Sequence, residues 1–298
     1  MGHQSGFVNI MGLPNVGKST LLNALIGEKL SIITNKPQTT RHRIIAIANE
    51  EEYQVVFSDT PGIIDDPRYK MQEAMNVFAY SALEDADVLL YLIDITDEPS
   101  IDQKIKEKLS RLSCPKILAL NKCDLANKKE VKRLADWWSS ELPDFEVVTI
   151  SAKEKTGTED LMEKIISLLP EGPPYYPKDQ FTDRSERFFV SEIIREKILE
   201  LYHQEIPYSA EVIVHTFKED LSKERPLVRI GADIIVARKT QKSIIIGKGG
   251  KSIKALGTEA RKDIEVFLEK KVYLELYVRV KEKWRDDDRS LKSYGYLH

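Results

Sequence analysis

Residues 12–20, GLPNVGKST, carry the most specific signal in the chain. They match the pattern G-x-x-x-x-G-K-[ST] and lie between an apolar run, FVNIM, and a helical pattern, STLLNALIG, as a phosphate-binding loop requires. The glycines allow backbone N–H groups to curl around a phosphate at the start of a helix. We expect Lys18 to reach the β- and γ-phosphates of a nucleotide and Ser19 to bind Mg²⁺. The residues predicted to surround the phosphates are Gly12, Asn15, Val16, Gly17, Lys18, Ser19 and Thr20.

Apolar runs alternate with amphipathic stretches on both sides of this loop. The runs FVNIM, RIIAIAN, YQVVFSD, VLLYLID, KILALNK and EVVTISA are typical of strands, and most of the segments between them have helical spacing. Such alternation predicts βαβ units, and therefore a doubly wound α/β domain with a mostly parallel sheet. One pair differs, because IIAIANEEEYQVVF joins two strands by a short acidic turn. This pair predicts one antiparallel strand at the edge of the sheet.

The motif DTPG, residues 59–62, follows one of these strands at its C-terminal end, where sheets of this kind bind ligands. Asp59 is expected to hold Mg²⁺ through a water molecule, and the Gly62 N–H is expected to meet the γ-phosphate. The motif therefore complements the phosphate-binding loop.

Two further motifs, NKCD and SAK, end the last two strands and indicate which base is bound. The Asp124 carboxylate can only accept hydrogen bonds. Guanine offers it two adjacent donors and adenine offers no such pair, so a buried carboxylate selects guanine. The Ala152 N–H is expected to donate to guanine O6. The predicted guanine-binding residues are Asn121, Lys122, Asp124, Ser151, Ala152 and Lys153, and the four motifs together predict a GTPase.

A proline-rich stretch, LLPEGPPYYPKDQFTD, interrupts the alternation at residues 168–183. We therefore predict a GTP-binding domain over residues 1–171, a linker over residues 172–182 and a second domain over residues 183–298. The net charge of −3 is divided unevenly, with −7 on residues 1–182 and +4 on the remainder. The two predicted domains thus differ in charge as well as in pattern.

Charge and composition narrow the classes of function. Residues 234–258 contain six basic residues and no acid, which indicates a polyanionic partner, with a merely solvated lysine-rich face as the alternative. The sequence shows no apolar run of about 20 residues and no signal segment. Cys114 and Cys123 lack metal-binding spacing and are expected to be reduced thiols. These features predict a cytoplasmic protein.

The second domain has the predicted element order α-β-β-α-α-β. Its turn, Gly247-Lys248-Gly249-Gly250, lacks the spacing of a nucleotide loop, and taken alone it is compatible with an ordinary tight turn between helices. The run SIII before the turn has the composition of a strand end. Trp284 follows the last strand, and its side chain is expected either to pack in the core or to stack on a base. The first helix has apolar residues at Phe189, Ile193, Ile194, Ile198 and Leu201.

Three features add a family resemblance. Thr39-Thr40-Arg41 precedes the antiparallel hairpin, Ile63 follows DTPG, and the second domain carries the G-x-x-G turn. With these features the chain resembles the translation-factor-related GTPases, and more narrowly the Era family, over about residues 7–285. The resemblance implies that Thr40 lies in a switch loop and coordinates Mg²⁺ only when the γ-phosphate is present. It also implies an α+β type II KH domain, in which SIII is a short helix that enters the turn. The turn of such a domain clamps about four nucleotides of RNA.

The resemblance has consequences for catalysis. Ile63 replaces the glutamine that orients the attacking water in the Ras-like branch, so intrinsic hydrolysis is expected to be slow. Related GTPases with this replacement and an asparagine in the phosphate loop use a potassium ion, which implies K⁺ at Asn15. Hydrogen bonding within the loop is the alternative role for this side chain. The implied catalytic residues are Asn15, Lys18, Thr40 and Gly62, and the implied Mg²⁺ ligands are Ser19, Thr40 and Asp59.

The resemblance also implies a function. Era-family members look like GTP-controlled factors that bind single-stranded RNA at the 3′ end of 16S ribosomal RNA and act in assembly of the small (30S) ribosomal subunit, and we expect the GTP-loaded form to bind RNA. An RNA-modifying GTPase is an alternative, although the sequence lacks a catalytic Cys, metal cluster or cofactor loop in its second domain. The other alternative is a membrane-associated signalling GTPase, and a peripheral contact at the inner membrane stays open. The implied RNA-binding residues are Ile246, Gly247, Lys248, Gly249, Gly250, Lys251 and Ile253.

Overall fold

The computed structural model describes residues 2–34, 36, 38–64, 66–220 and 227–297. The chain forms two compact units. The first comprises Met1–Ser31, Thr40–Asp65 and Met75–Asp183, and the second comprises Ile32–Thr39, Asp66–Ala74 and Arg184–His298. Two short segments from the N-terminal half of the sequence therefore belong to the second unit.

The first unit is built on a six-stranded sheet. Its strands run in the spatial order β2-β3-β1-β4-β5-β6. β2 is antiparallel to β3, and the other neighbouring strands pair in parallel. The predicted doubly wound sheet with one antiparallel edge strand is confirmed. The strands are β1 (Gln4–Gly12), β2 (Ile44–Asn49), β3 (Tyr53–Asp59), β4 (Val88–Asp94), β5 (Lys116–Asn121) and β6 (Glu146–Thr149).

Helices cover both faces of this sheet because its central strands are buried on both sides. Leu21 and Ile165, from the first and last helices of the unit, pack against Val8 and Ile10 of β1. The other helices pack on the opposite face, where Leu89 of β4 lies among their apolar residues. The phosphate-binding loop lies between the two layers at the end of β1. The helices are α1 (Lys18–Ile26), α2 (Lys70–Glu84), α3 (Gln103–Ser110), α4 (Lys128–Glu141) and α5 (Thr158–Leu168).

The proline-rich stretch lies along the first unit. The Gln54 side chain of β3 accepts hydrogen bonds from the N–H groups of Tyr175 (2.7 Å) and Tyr176 (2.9 Å), and donates to the Tyr176 carbonyl (2.8 Å). Further along, the Ile47 N–H of β2 donates to the Phe181 carbonyl (2.9 Å). The stretch is therefore anchored through its backbone and is not a free tether.

The second unit contains a three-stranded sheet in the order β7-β8-β9. β7 and β8 are antiparallel, and β8 and β9 are parallel, with two helices in the crossover between them. Helical side chains such as Ile194, Ile245 and Ile264 pack with Ile230 and Ile234 of β8 to form the core. The elements are α6 (Glu186–Leu201), α7 (Ile206–Ser209), β7 (Glu211–Asp220), β8 (Leu227–Val236), α8 (Lys239–Ile246), α9 (Lys251–Leu268), β9 (Lys271–Val280) and α10 (Asp288–Ser293).

This arrangement confirms the predicted KH fold and resolves two open points. The SIII run lies within helix α8, not in a strand. Trp284 is fully buried and its Nε1–H donates to the Ser209 carbonyl (3.1 Å), so it is a core residue. None of the described helices is long and apolar enough to cross a membrane.

Candidate nucleotide site and RNA-binding turn

The phosphate-binding loop has a backbone that only particular residues adopt. Gly17 has a φ of 99°, and a Cβ at this position would lie 2.3 Å from Asn121 Nδ2. Asn15 is also left-handed, with a φ of 66°, a conformation that asparagine tolerates better than most residues. The loop thus turns sharply into α1, with Lys18 as the first helical residue and Thr20 in its first turn.

Lys18 is buried beneath this loop. Its Nζ donates hydrogen bonds to the carbonyls of Gly12 (3.0 Å) and Leu13 (2.8 Å). Burial lowers the pKa of Lys18 to about 8, while the negative charge of Asp59 opposes the shift. The ammonium group is held ready at the loop, where phosphate oxygens would be stronger acceptors than carbonyls.

Three oxygen-bearing side chains meet beside the loop. The Ser19 hydroxyl donates to Asp59 Oδ2 (2.8 Å), and Thr40 Oγ1 lies 2.9 Å from Ser19 Oγ and 3.4 Å from the same carboxylate oxygen. Hydroxyl and carboxylate oxygens are the ligand types that Mg²⁺ takes. The structure therefore brings together all three predicted metal ligands.

The Asp59 carboxylate is fully buried. Burial raises its pKa, and the Ser19 hydrogen bond and the Lys18 charge act in the opposite direction. Its Oδ1 atom has no hydrogen-bond partner among the described residues. Since a buried acceptor without a partner is costly, this atom fits a site designed for an additional donor, such as a metal-bound water.

The two base-recognition motifs lie together as predicted, but the exposure of Asp124 differs from the prediction. Ser151 Oγ donates to Asp124 Oδ1 (2.5 Å), which joins the two motifs. Asp124 was predicted to be a buried carboxylate, but it is exposed in this structure. Its burial would therefore have to come from the bound base. Lys153 is also exposed and lies 3.6 Å from Glu154.

Asn121 has a role that the sequence did not predict. Its Nδ2 donates to the Val16 carbonyl of the phosphate-binding loop (2.8 Å), and its Oδ1 accepts from the Ala152 N–H (2.9 Å). The Ala152 N–H, expected to donate to guanine O6, is thus engaged by Asn121 in this structure. The Asn121 amide connects the phosphate loop to both base-recognition motifs, which explains why Gly17 has no room for a side chain.

Lys122 also has an unexpected partner. It forms an ion pair with Asp94 at the end of β4, and Asp94 Oδ1 accepts from the Thr96 hydroxyl (2.7 Å). Burial alone would raise the pKa of Asp94, but the Lys122 and Thr96 hydrogen bonds outweigh it and the pKa lies below its usual value. Asp94 therefore holds the Lys122 side chain in place. In the sequence, Asp94 is marked only as an acidic residue at the end of a buried strand.

Asparagines fix the loops on either side of the site. Asn23 Oδ1 accepts from the N–H groups of Leu30 (3.0 Å) and Ser31 (2.9 Å) after α1. Asn76 accepts from the Ile64 N–H (2.9 Å) and donates to the Ile64 carbonyl (2.8 Å) just after DTPG. Asparagine is a weak helix former, so its presence in two helices of the sequence was a signal for such loop contacts.

Gly62 and Ile63 differ in what they offer the site. Ile63 is 6% exposed and packs in the core, so its side chain supplies no polar group. A Cβ on Gly62 would lie 2.9 Å from the Pro14 nitrogen, and this close approach brings DTPG against the phosphate-binding loop. The expected position of Gly62 beside the phosphates is therefore compatible with the structure.

The second glycine turn connects α8 to α9. Gly247 has a φ of 70°, and a Cβ there would lie 2.1 Å from Ser252 Oγ. Gly249 and Gly250 are also left-handed, with φ values of 60° and 75°. Lys248, Gly249 and Lys251 are exposed, so the turn presents backbone and positive charge to solvent.

Four isoleucines around this turn separate into core and surface. Ile245 is fully buried, and its carbonyl accepts a hydrogen bond from the Tyr202 hydroxyl (2.8 Å). Ile244 is 54% exposed. Ile246 and Ile253 are partly buried against the core, so their outer surfaces are available beside the turn. These two are the isoleucines expected to line an RNA groove.

Comparison with known proteins matches both units. A protein-family profile described as 50S ribosome-binding GTPase matches residues 7–122, and a KH domain profile matches residues 205–285. GTPase Era of Ectopseudomonas mendocina is 44% identical over 293 residues, which are 98% of this chain and 97% of that protein. A chloroplastic GTPase ERA-like protein of Arabidopsis thaliana is 46% identical over 299 residues, or 99% of this chain and 69% of that protein.

Solved structures agree with these relatives over the whole chain. A crystal structure of Era in complex with MgGDPNP and nucleotides 1506–1542 of 16S ribosomal RNA has a TM-score of 0.94 and 38% identity, covering 99% of this chain and all of that one. A crystal structure of an Aquifex aeolicus Era variant bound to GDP·AlF4⁻ has a TM-score of 0.92 and 37% identity, with the same coverage. With identities above 40% to GTPase Era proteins over nearly its full length, a P-loop G domain and a KH domain, this chain belongs to the Era family of GTPases.

Proposed function

We propose that this chain is a GTP-driven switch that binds single-stranded RNA at the 3′ end of 16S ribosomal RNA. The observation that carries the proposal is the meeting of Ser19, Thr40 and Asp59 oxygens beside the phosphate-binding loop, in a chain that also carries an exposed G-x-x-G turn. The related Era structure with nucleotides 1506–1542 supports the choice of RNA. The proposal extends to maturation of the 30S subunit in the cytoplasm, with a G domain over residues 1–171 and a KH domain over residues 183–298.

Mg²⁺ fits the site formed by these oxygens. We assign Ser19 and Thr40 as hydroxyl ligands and Asp59 as a ligand through a water molecule. Asp59 Oδ1 can accept a hydrogen bond from this water, since it has no partner among the described residues. Mg²⁺, when bound with the nucleotide, neutralises charge on the β- and γ-phosphates. The related Era structure with MgGDPNP supports this assignment.

The protein's own groups then act on the phosphates. Lys18 exchanges the Gly12 and Leu13 carbonyls for phosphate oxygens, and the nearby negative charge favours its protonated form, raising its pKa above the value of about 8 in this structure. The Gly62 N–H donates toward the γ-phosphate. Both groups are aimed at the place where negative charge develops during phosphoryl transfer.

Positioning of the attacking water requires another group, because Ile63 is buried and apolar. We place a K⁺ ion at Asn15, whose left-handed backbone holds it in the phosphate-binding loop. We then expect the intrinsic hydrolysis rate to be low, and to be higher in K⁺ than in Na⁺. Asn15→Ala should remove this difference between the two salts. Steady-state phosphate release in the two salts measures this, and equal rates for the unaltered protein would contradict the K⁺ site.

RNA binding is assigned to the turn between α8 and α9. Lys248 and Lys251 are exposed on either side of left-handed glycines, which lets the backbone approach an RNA strand while the ammonium groups meet phosphates. Ile246 and Ile253 offer half-buried apolar surface for unstacked bases. This division gives phosphate contacts to the lysines and base contacts to the isoleucines.

The decisive experiment measures affinity for a fluorescent RNA with the sequence of nucleotides 1506–1542, at one fixed salt concentration, by anisotropy. Lys248→Glu is expected to weaken binding by about tenfold or more and to reduce its salt dependence. Lys262→Glu is the matched control, since Lys262 is exposed on helix α9, away from the turn, and pairs with Glu259. Its effect should stay within about twofold, because screening weakens distant charges.

Other outcomes separate the alternatives. Equal losses in the two lysine variants would show that only overall charge matters and would contradict a binding turn. Absence of RNA binding by the unaltered protein would remove RNA from the function. Co-sedimentation with anionic vesicles in that case would favour the membrane-associated alternative.

A further inference from the structure

The three-stranded sheet of the second unit buries one of its faces under helices α6, α8 and α9. Ile230 and Ile234 of β8 point to this inner face, among the apolar side chains of the helices. Successive side chains of a strand alternate between faces, so the residues between them point to the opposite side, here called the outer face. The rows of the outer face, across β7, β8 and β9, are Lys218, Arg229 and Tyr273; Thr216, Gly231 and Glu275; Ile213, Asp233 and Tyr277; and Glu211, Ile235 and Arg279.

The chain that follows β9 covers one end of the outer face. The Tyr296 hydroxyl donates to Glu211 Oε2 (2.6 Å), and Ile235, which lies opposite Glu211, is 6% exposed. The other three rows are open, and in them Tyr273 and Tyr277 are 50% and 47% exposed. The two tyrosines are four residues apart on one strand, so both rings present their surface on the same side of the sheet. Aromatic rings of this size are a large surface for contact with a flat ligand.

Each tyrosine ring has a nitrogen-bearing side chain beside it. The Arg229 guanidinium carbon lies 5.9 Å from the centre of the Tyr273 ring. The His215 and Tyr277 ring centres are 6.2 Å apart, with 37° between the ring planes. Such neighbours restrict the conformations of the rings, so less side-chain entropy is lost when a ligand stacks on them. The open rows therefore present two aromatic surfaces that are partly ordered in advance.

The backbone of the sheet makes room for His215 on this face. The pairing of β7 with β8 shifts its register between Val214 and Thr216, so His215 is the extra residue of a bulge, a feature that can redirect a side chain. A Cβ on Gly231 would lie 2.7 Å from His215 Cε1, so the imidazole lies over the glycine. A glycine inside a strand often marks such a close approach. The imidazole thus fills the space between the strands next to the second tyrosine.

Positive charge is concentrated in the first row of the outer face. Lys218 lies directly opposite Arg229, both are exposed, and neither forms an ion pair with another described residue. Like charges directly opposite each other destabilise a pair of strands, so this arrangement does not serve the stability of the sheet. The acids of the open rows are Glu275 and Asp233, and Asp233 pairs with Arg279 (2.6 Å). The two cations beside an aromatic ring are suited to an anionic ligand that also carries flat rings.

We propose that the open rows of the outer face are a second site for single-stranded RNA. Bases stack on Tyr273 and Tyr277, and phosphates meet Lys218 and Arg229. Aromatic side chains with cations beside them bind single strands of many sequences, because every base has a π face and every nucleotide has a phosphate. The inference rests on the proposed RNA-binding function, to which it adds a site of low sequence preference.

One RNA strand can reach both the turn and the outer face. Helices α8 and α9, which the turn connects, form the crossover from β8 to β9, and both contact β9 on the inner side of the sheet. β9 is an outer strand of the described sheet, and both tyrosines belong to it. RNA that leaves the turn therefore passes the edge of β9 to reach the tyrosines. A second contact on the same strand then raises affinity, because it forms within one complex.

The test measures the affinity of the full chain for the fluorescent RNA of nucleotides 1506–1542, by anisotropy at one fixed salt concentration. The double variant Tyr273→Thr/Tyr277→Thr is expected to bind about tenfold more weakly, because threonine is a good strand former that has no ring on which a base can stack. The matched control is Tyr273→Phe/Tyr277→Phe, which keeps both ring faces and should stay within about twofold. Equal losses in the two double variants would overturn stacking as the mode of binding.

The phosphate contacts have a separate measurement. Arg229→Gln should reduce the slope of log affinity against log salt concentration by about one, as expected for the loss of one phosphate contact. Lys292→Gln removes a positive charge from an exposed position of α10 in the same unit and should leave the slope unchanged. A slope that is the same in Arg229→Gln as in the unaltered protein would contradict the site.

Lys248→Glu separates this inference from the proposed function. Weaker RNA binding in Lys248→Glu with unchanged binding in the double threonine variant would overturn the second site and leave the turn as the RNA site. Absence of RNA binding by the unaltered protein would overturn both proposals.

A measurement on the unaltered protein keeps the inference testable where the double threonine variant does not fold. Ultraviolet cross-linking to the same RNA, followed by mapping of the modified peptides, is expected to give adducts on β9 at Tyr273 or Tyr277 as well as near the turn. Adducts confined to the turn between α8 and α9 would contradict the second site.

Discussion

The Asp124 carboxylate is exposed, and one of its oxygens accepts a hydrogen bond of 2.5 Å from the Ser151 hydroxyl. Asp124→Asn replaces an acceptor by an amide that can donate, so guanine loses its partner and the C2 oxygen of xanthine gains one. We expect GTP affinity to fall by about a hundredfold or more and xanthosine triphosphate affinity to rise. Competition of both nucleotides against a fluorescent GDP measures the change.

The control for this substitution is Asp136→Asn, which makes the same chemical change at an exposed position of helix α4. It should leave both affinities unchanged. Retention of the guanine preference in Asp124→Asn would show that another group recognises the base.

Lys18 has a predictable effect on stability. Its pKa falls from 10.5 to about 8 in the folded protein, so between these values the unfolded chain binds more protons and stability rises with pH. Below pH 8 the full cost of burying the charge is present. Lys18→Met should therefore raise the free energy of unfolding of the nucleotide-free protein at pH 7 by up to about 3 kcal/mol, and the gain should shrink toward pH 10.

Urea unfolding of both proteins at pH 7 and pH 10, without nucleotide, checks this expectation. Lys128→Met, a change on the exposed surface of α4, serves as the control. A gain of the same size at both pH values would mean that packing of the methionine, and not removal of the charge, is responsible.

The sequence motifs predicted the positions of individual residues better than their contacts. Ser19 and Asp59 follow from local patterns because each lies at a strand end or helix start that the sequence itself reveals. Asn121 and Asp94 could not be assigned their contacts, since those depend on which strands are neighbours in the sheet. Sequence patterns identify ligand-facing atoms more readily than the side chains that hold them in place.

Among the structural elements, the turn between α8 and α9 gives a matched pair of substitutions. Gly247→Ala would place a Cβ 2.1 Å from Ser252 Oγ and forces a φ of 70° at a ψ of 174°, a region that is essentially restricted to glycine. Gly249→Ala meets nothing within 4 Å and has an ordinary left-handed backbone. We expect losses of unfolding free energy on the order of 3 kcal/mol for the first and about 1 kcal/mol for the second.

Urea unfolding of the two variants measures this difference within one turn. The RNA affinity of Gly249→Ala should fall even though its stability is little changed, because the added methyl group lies on the exposed backbone that RNA is proposed to approach. Equal stability of the two variants would show that the turn tolerates a different backbone path.

Composition alone left short apolar runs ambiguous, and only the family resemblance predicted the SIII run correctly as a short helix. The SIII run has β-branched residues typical of strands, yet it forms the end of helix α8, where Ile245 is packed in the core and Ile244 is exposed. Leu201 fits the apolar spacing of α6 but is 44% exposed, since it lies at the last residue of the helix. Periodicity predicts the type of a long element better than the environment of its ends.

For the molecule as a whole, the proposed function requires that nucleotide and RNA affect each other. The RNA of nucleotides 1506–1542 should bind more tightly in the presence of a GTP analogue than with GDP, at one salt concentration. By thermodynamic linkage, the RNA must then tighten the GTP analogue relative to GDP by the same factor. Anisotropy titrations with each nucleotide, and nucleotide titrations with and without RNA, measure the two factors independently.

Thr40→Ala provides the comparison within this experiment, because the loss of a proposed Mg²⁺ ligand is expected to lower GTP-analogue affinity without changing a residue of the RNA-binding turn. Equal RNA affinities with GDP and the GTP analogue in the unaltered protein would describe a KH domain that is attached to a GTPase without being controlled by it.

The overall architecture was predictable because two well-separated patterns specify it. Alternation of strands and helices gave the first unit, and the α-β-β-α-α-β order gave the second. The proline-rich stretch at residues 172–182 was predicted only as a connection, because its contacts arise from backbone groups and from the single side chain of Gln54. Such contacts leave no periodic pattern.

These contacts of the proline-rich stretch have a consequence for solubility. β2 is an outer strand of the sheet, and an outer strand normally exposes unpaired N–H and C=O groups that can recruit another chain. Here Phe181 and Thr182 occupy that position, with the Thr182 hydroxyl also donating to the Ile45 carbonyl (2.6 Å). A fragment ended at residue 171 would uncover an apolar strand and invite aggregation, whereas one ended at residue 183 would keep it shielded.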